Sequence, residues 1–382
     1  MGAEDKNELR VILVCNHMSI SGGAEALVLN MFYGLKKRPG VKVKLVTFKK
    51  LARSTGYDIS GIEGPLNNDP DFLDSNSYVN LSVTKPNKID VSDFTDLVKS
   101  FKPHVIHSHL FASEMIAHEV LFPGVKYISH CHDNMPQMRN LTPKTFTQKH
   151  LLTNFYEKQH LVSQYKKCNA KFISISADTT SYFKAVLPAG LKGNIIPMDN
   201  AIVTKNFEGA NHERDLETIR IVNVGRFTTT KNQQFLVDVA KVLVERGRKV
   251  EVVMLGKGAE YENVKAKAAA NNLQQVIKLP GTQADMASYY GAANLYVHVC
   301  RHEPFGLVLL EAMASGLPVV SLDGRGNRSL IEQGENGYML TNEDANEFAD
   351  TIEKTLADKV SYNAMSANAV AFAKRYDIEE YL

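Results

Sequence analysis

The chain has few cysteines, no charge excess and no long apolar run, and each lack closes off a class of protein. The four cysteines, Cys15, Cys131, Cys168 and Cys300, include no C-x-x-C pair. A disulfide framework is therefore not expected, and a reducing cytoplasm is the expected setting. Forty-four Lys and Arg against 42 Asp and Glu leave a formal charge of +2, too balanced for a protein that binds nucleic acid over its whole surface. No apolar run approaches the ~18 residues that span a bilayer, and residues 1–9 are charged, unlike a signal peptide. The first strand-like run is followed by Gly22-Gly23 rather than G-x-G-x-x-G, so the dinucleotide fingerprint is missing too.

What is present is a regular alternation. Short β-branched runs at 10–15, 41–48, 105–108, 126–130, 171–176, 219–224, 250–255, 276–279, 295–299 and 318–321 alternate with helical patterns such as 25–37, 232–246 and 260–271. Several runs are apolar throughout, as strands covered on both faces of a parallel sheet must be. The class is α/β. The pattern also restarts: 10–15 leads through a Gly-containing loop into a helix, and 219–224 does the same near mid-chain. At 382 residues the expectation is two doubly wound, Rossmann-like domains facing across a cleft, with ligands at the carboxyl ends of their strands. The domains are placed at 1–203 and 204–362, joined by a polar linker near 199–214, and 363–382 is read as a final helix that crosses back to the first domain.

The chemistry concentrates in 301–320. A strand ends near Val299, a turn holds Glu303-Pro304-Phe305-Gly306, a helix follows to about Ser315, and Gly316 ends it. The amino end of that helix offers unpaired N–H groups and a partial positive charge, and Gly306 lets a ligand approach the backbone, which suits a diphosphate. Glu303 stands before the helix and Glu311 lies ~7–8 Å along it. Both carboxylates can accept paired hydroxyl hydrogen bonds from sugar rings; the plainer reading is a capping acid and an exposed helix residue. In the stretch 224–232, Arg226 and Lys231 follow a buried strand, and two cations there suit phosphate oxygens, although solvated loop cations would look the same. The histidines cluster, with His104, His107 and His109 near one strand and His130 and His132 near the next. Their spacing matches no zinc pattern, so packing is preferred and no metal site is assigned. Asp69-Pro70-Asp71 reads as a turn rather than a metal-binding Asp-x-Asp. The stretch 145–167 is amphipathic and carries Lys149, Lys158, Lys166 and Lys167, a solvated helix face or else a contact for anionic lipid head groups.

Taken together, these residues resemble the retaining glycosyltransferases of family 4, of GT-B fold, and most strongly over 219–340. Glu303 and Glu311 match that family's two Glu separated by seven residues, and 224–232 matches its Gly-Arg…Lys-Asn phosphate motif. The resemblance implies that Arg226 and Lys231 hold the donor diphosphate. Glu303, with the backbone around Phe305, Gly306 and Leu307, would orient the sugar and phosphate, and Glu311 would bind the ribose hydroxyls. The base would lie near Gly256 and Leu279, Gly281 and Thr282. His132 would stand beside the transferred sugar, and Gly22 and Gly23 would approach the diphosphate or the acceptor. The sequence departs from the family at Val299-Cys300, where Pro-Ser is usual, and at Asn200-Ala201-Ile202-Val203, where Asn-Gly-Ile-Asp is common. It departs again near Arg328-Ser329, where a Glu is usual.

The expected activity is transfer of a sugar from a nucleoside diphosphate, taken as UDP, to an acceptor hydroxyl with retained configuration. No metal or other cofactor is expected. The partners are a nucleotide-sugar donor, a carbohydrate or lipid-linked acceptor and a peripheral membrane contact, with no nucleic acid. Surface polysaccharide or glycolipid assembly in the cytoplasm, at the inner face of the membrane, is the expected setting. Two alternatives stay open at this point: a nucleotide-sugar epimerase of the same fold, and a nucleotide-sugar-binding protein without turnover.

Overall fold

The computed structural model describes residues 8–18, 22–49, 66, 68–208 and 214–382. Parts of two expected connections, 19–21 of the first loop and 209–213 of the linker, lie outside the described residues. The chain divides into two compact units, Met1–Asp199 with Leu382, and Asn200–Tyr381.

The first unit is built on strands β1 (Leu9–Cys15), β2 (Val41–Phe48), β3 (Phe72–Ser75), β6 (Val105–His109), β7 (Lys126–Cys131), β8 (Lys171–Ser174) and β9 (Ile195–Pro197), all parallel, in the order 3-2-1-6-7-8-9. A two-stranded antiparallel ribbon, β4 (Tyr78–Asn80) and β5 (Lys88–Asp90), stands apart from this sheet. Every residue from Val11 to Cys15 is buried, which a strand achieves only when helices cover both faces of its sheet. Ile12, Val14, Val46, Phe48, Ile106 and Phe172 belong to one core cluster. The order reverses at β1, so neighbouring crossovers run in opposite directions from β1 and β6, and the crevice beyond their carboxyl ends is where doubly wound folds bind ligands.

The second unit repeats the plan with β10 (Thr218–Val224), β11 (Lys249–Leu255), β12 (Ile277–Gly281), β13 (Leu295–His298), β14 (Val319–Leu322) and β15 (Gly337–Leu340), parallel in the order 12-11-10-13-14-15. Its core contains Ile219, Ile221, Val252, Met254, Val297 and Val320. Here the reversal lies between β10 and β13. Val224 and His298 therefore end adjacent strands at the switch point, and the loops carrying Arg226 and Glu303 leave from the same edge.

The expected single helix over 363–382 is not what forms. A helix runs over Lys359–Lys374, starts on the Asp358 cap and packs against helix Leu307–Ala314 of the same unit. Its buried residues Tyr362, Met365, Ala369, Phe372 and Ala373 recur at helical spacing. The chain then turns, and Ile202 N–H donates to the Tyr376 carbonyl while Ile378 N–H donates to the Ile202 carbonyl. Asp377 accepts from the Thr204 backbone N–H at 3.1 Å and from its hydroxyl. A short helix, Ile378–Tyr381, follows, and only Leu382 groups with the first unit. The basic stretch 145–167 also differs from expectation. Its main helix is Lys149–Cys168, with Lys149, Lys166 and Lys167 exposed. Lys158 is buried and donates to Asn140 Oδ1 at 3.0 Å and the Arg139 carbonyl at 3.4 Å. Burial without an acid partner therefore lowers its pKa, and it belongs to neither a solvated nor a lipid-facing surface. Asp69–Asp71 forms a turn, with Asp71 N–H on Asp69 Oδ1 and Lys36 paired to both acids.

Candidate active site

The site grows out of two loops at the β10/β13 switch point. Beyond Val224 the chain passes Gly225 and Arg226 and reaches Asn232, whose left-handed backbone (φ 57°) opens helix Gln233–Glu245. The neighbouring loop after β11 packs directly on this one. Gly256 adopts φ 128°, and a β-carbon there would lie 2.1 Å from the Gly225 carbonyl oxygen. Phe227 N–H donates to Lys257 O, and Glu260 N–H returns to Phe227 O, each at 3.0 Å. Glycine at 256 is thus required by contact as well as by conformation.

Glu303 is held from three sides. Its N–H donates to Gly324 O at 2.9 Å. Its Oε2 accepts from Lys231 Nζ at 2.6 Å and faces His298 Nε2 at 2.9 Å. His298 in turn lies 3.5 Å from the Tyr296 hydroxyl, which hydrogen bonds the backbone of Val224. Beneath Glu303 the turn after β14 approaches closely. A β-carbon on Gly326 would meet the Pro304 carbonyl at 2.1 Å, and buried Asn327 bonds Gly324 N–H, Ser321 Oγ and Leu322 O.

The charges follow from these contacts. Burial pushes the Glu303 carboxyl up, but the Lys231 charge and the His298 hydrogen bond outweigh it and hold the group well below the ordinary carboxylate range. Burial likewise opposes the Lys231 ammonium, and Glu303 reverses the effect, so that its pKa rises. The pair is ionised at neutral pH. His298 is depressed by burial, against the pull of Glu303. Cys300, at the position where Pro-Ser is usual, is pushed up to about 12 by burial and is a packed thiol, with Sγ 3.1 Å from His302 O.

Gly306 opens helix Leu307–Ala314 with φ 109°, and the first N–H groups of that helix start beside Glu303. Glu311, within the helix, accepts from the Tyr290 hydroxyl at 2.9 Å. Burial raises its carboxyl to about 6, partly countered by Tyr290. Arg226 is exposed and close enough to Lys231 for its charge to act on that ammonium. Leu279, Gly281 and Thr282 lie at the end of β12. Gly281 accepts from Gly256 N–H at 2.9 Å and Leu279 O accepts from the Tyr261 hydroxyl at 2.6 Å, so these backbone groups are partly committed. Phe305 is buried and Leu307 half-buried.

His132, Gly22 and Gly23 belong to the first unit. Gly22 caps helix Gly23–Lys36, and the Glu25 carboxylate folds back so tightly that a β-carbon on Gly22 would lie 1.9 Å from Glu25 Oε2. Glu25 Oε1 lies 3.6 Å from His17 Nε2. An anion approaching Gly22 must displace that carboxylate. His132 joins His107, His109 and His130 in a buried stack of rings, with His130 and His132 centroids 4.2 Å apart and 5° from parallel. His132 Nε2 meets His109 Nδ1 at 2.8 Å.

Sequence reasoning passed over His298, Tyr290 and Asn327. The first had a visible signal: Tyr296 and His298 are polar residues two apart in an otherwise apolar strand, so both point to the same face.

Residues 204–372 match the family described as Glycosyl transferases group 1. Among curated proteins, the chain is 33% identical over 138 residues to the lipopolysaccharide core biosynthesis glycosyltransferase LpsE of Rhizobium meliloti (strain 1021), 36% of this chain and 39% of that one. It is 27% identical over 191 residues to the poly(ribitol-phosphate) alpha-N-acetylglucosaminyltransferase of Staphylococcus aureus (strain COL), 49% of this chain and 38% of that one. The chain thus spans about two fifths of the length of these relatives. Two solved structures share the fold over nearly the whole chain. Sucrose-phosphate synthase from Thermosynechococcus elongatus matches with TM-score 0.73 and 19% identity, covering 98% of this chain and 96% of that one. Anabaena Alr3699/HepE in complex with UDP matches with TM-score 0.72 and 19% identity, covering 98% of each. The two parallel-sheet units are the GT-B architecture of these glycosyltransferases.

Proposed function

We propose that this chain, a member of the glycosyl transferases group 1, moves a sugar from a UDP-sugar to an acceptor hydroxyl with retention of anomeric configuration and without a metal ion. The observation that carries the reading is the Lys231–Glu303 pair at 2.6 Å, beside a helix amino end and within the field of Arg226. An ammonium has three donors, so Lys231 can keep Glu303 in place while a second N–H reaches a phosphate oxygen. Arg226 offers a fork for the same diphosphate. Glu303, ionised and held at Oε2, presents a carboxylate to sugar hydroxyls, and Glu311 presents another to the ribose. HepE was solved with UDP and with UDP-glucose, which supports uridine as the base.

The reaction balances on these groups. The anomeric C–O bond to the β-phosphate breaks, leaving negative charge on phosphate and oxocarbenium character on the sugar. Lys231, Arg226 and the N–H groups after Gly306 stabilise the leaving phosphate. The acceptor oxygen bonds to the anomeric carbon on the face that the phosphate leaves, and its proton passes to the freed phosphate oxygen. His132 would stand beside the transferred sugar, its ring oriented by His109.

The relatives named for lipopolysaccharide core and poly(ribitol-phosphate) support a surface-polysaccharide acceptor, made at the cytoplasmic face of a membrane. No helix among the described residues is long and apolar enough to cross a bilayer. A peripheral contact is supported instead by the turn preceding the basic helix, where Leu141 and Phe146 are 47% and 68% exposed among exposed Arg139, Lys144 and Lys149.

The test is a panel of UDP-sugars incubated with lipid-linked and free glycan acceptors in EDTA, with the anomeric coupling of the product read by NMR. A retained configuration and acceptor-dependent UDP release are expected. Conversion of donor to an isomer without acceptor would establish an epimerase instead, and nucleotide binding without turnover a binding protein.

A further inference from the structure

The imidazole stack of the first unit has a property beyond the placing of His132 beside the sugar. His107 and His109 close β6, and His130 and His132 flank the end of β7, all buried. Ligating atoms of His107, His109 and His130 lie within 4.8 Å of one another, and His130 Nδ1 is 3.2 Å from His107 Nε2. A tetrahedral set of nitrogens at ~2.0–2.1 Å from zinc has edges of roughly 3.3–3.4 Å, so one edge is already formed and ring rotation closes the others. His109 supplies an independent sign. Its Nε2 is fully buried and has no hydrogen-bond partner among the described residues, a costly state for a polar atom. Its opposite nitrogen, Nδ1, is bonded to His132 Nε2 at 2.8 Å. That is how metal-ligating imidazoles are generally oriented, one nitrogen toward the ion and the other N–H toward an acceptor.

We propose that His107, His109 and His130 form a binding site for a divalent transition metal of the zinc class, with His132 as the acceptor that orients His109. Burial, and after it the charge of neighbouring rings, depresses His107, His109 and His132 well below the ordinary imidazole range. Neutral imidazole is the ligating form. Binding requires the proton between His130 Nδ1 and His107 Nε2 to move to the opposite nitrogen of its ring, a change of tautomer with no net loss of a proton. Nitrogen-only ligation favours Zn²⁺, Co²⁺, Ni²⁺ or Cu²⁺ over Mg²⁺ and Ca²⁺. All three ligands belong to the first unit, and their binding of a metal does not depend on the transfer reading.

The test is a Co²⁺ titration of the untagged full chain after removal of adventitious metal, followed by its visible d–d absorption. One equivalent is expected, displaced by Zn²⁺ and not by Mg²⁺. A His107→Asn/His130→Asn variant should lose at least about tenfold in affinity, whereas His150→Ala, at an exposed ring, should bind as the parent does. UDP-induced stabilisation, read in parallel on the same variants, tests the donor reading; its presence or absence leaves the metal result standing. No saturable cobalt band, equal binding by the folded double variant, or loss of the band in His150→Ala overturns the proposal. Should the double variant not fold, the parent decides by NMR: Zn²⁺ must shift the ring resonances of His107, His109 and His130, and their constancy overturns the site.

Discussion

Replacing Lys231 by Met separates what the Lys231–Glu303 pair does for stability from what it does for the reaction. In the fold the Glu303 side chain is 8% exposed and the Lys231 side chain 27% exposed. Removing one partner of a buried pair costs ~3–5 kcal/mol. Because Lys231 is a quarter in solvent, the lower end, ~3 kcal/mol, is the expected loss at neutral pH. The remaining Glu303, still bonded to His298, rises in pKa because burial then meets less opposition, so part of that loss returns as the pH falls. Lys231→Met with Glu303→Gln removes both charges and keeps an amide oxygen for His298, and should recover most of the stability. Turnover behaves differently. Loss of one preorganised donor to the leaving phosphate costs ~2.7–4 kcal/mol, or ~10²–10³ in kcat, and the double variant recovers none of it. Urea unfolding and steady-state UDP release, on both variants, measure the two quantities. A Lys231→Met protein with parental turnover, or a double variant as unstable as the single one, would refute the reasoning.

Other perturbations read separate parts of the structure. Glu311, raised to about 6 by burial, must be ionised to accept two ribose hydroxyls, so donor affinity should fall tenfold per pH unit below about 6, and Glu311→Gln should abolish that slope in calorimetric titrations. Glu114 is buried beneath Ser129 and Tyr165 and is raised by burial to about 8, above its unfolded value. Its contribution to stability is therefore complete below about pH 4.5 and is lost as the pH rises through about 8, by up to ~1.4 kcal/mol per unit; urea midpoints of Glu114→Gln should show a flatter pH profile. Gly256→Ala, at φ 128° and 2.1 Å from the Gly225 carbonyl, should cost ~1–3 kcal/mol and weaken UDP binding by displacing the Arg226 loop, as thermal shifts with and without UDP would show.

The doubly wound plan was legible because buried parallel strands are apolar without interruption: 10–15 and 219–224 carry the signal in their own residues, and the observed strands Leu9–Cys15 and Thr218–Val224 differ by one residue at the start. Helices 25–37 and 232–246 were equally readable from periodicity and formed over Gly23–Lys36 and Gln233–Glu245. Strands Phe72–Ser75, Tyr78–Asn80 and Lys88–Asp90 were not, since they are three or four residues long and partly polar, and what fixes them is pairing, of the first with Val41–Phe48 and of the other two with each other. The same limit governs side chains. Lys231 and Glu303 are 72 residues apart, yet both follow strands at the switch point, so strand order alone brings their loops together. Lys158 looked like a surface cation because its spacing says nothing of Arg139 and Asn140, whose oxygens receive it. His298 was hidden in a strand read for hydrophobicity, and the parallel stacking of His107, His109, His130 and His132 depends on the register of β6 against β7, which no single strand displays.

Whether protein cations rather than a metal ion receive the donor diphosphate is decided by calorimetric titration of UDP into the untagged full chain in EDTA, with Arg226→Ala beside it. Binding in EDTA at the affinity seen with Mg²⁺ present is expected, weakened at least about tenfold in Arg226→Ala. UDP that binds only once Mg²⁺ or Mn²⁺ is restored, or that binds Arg226→Ala as tightly as the parent, would contradict it.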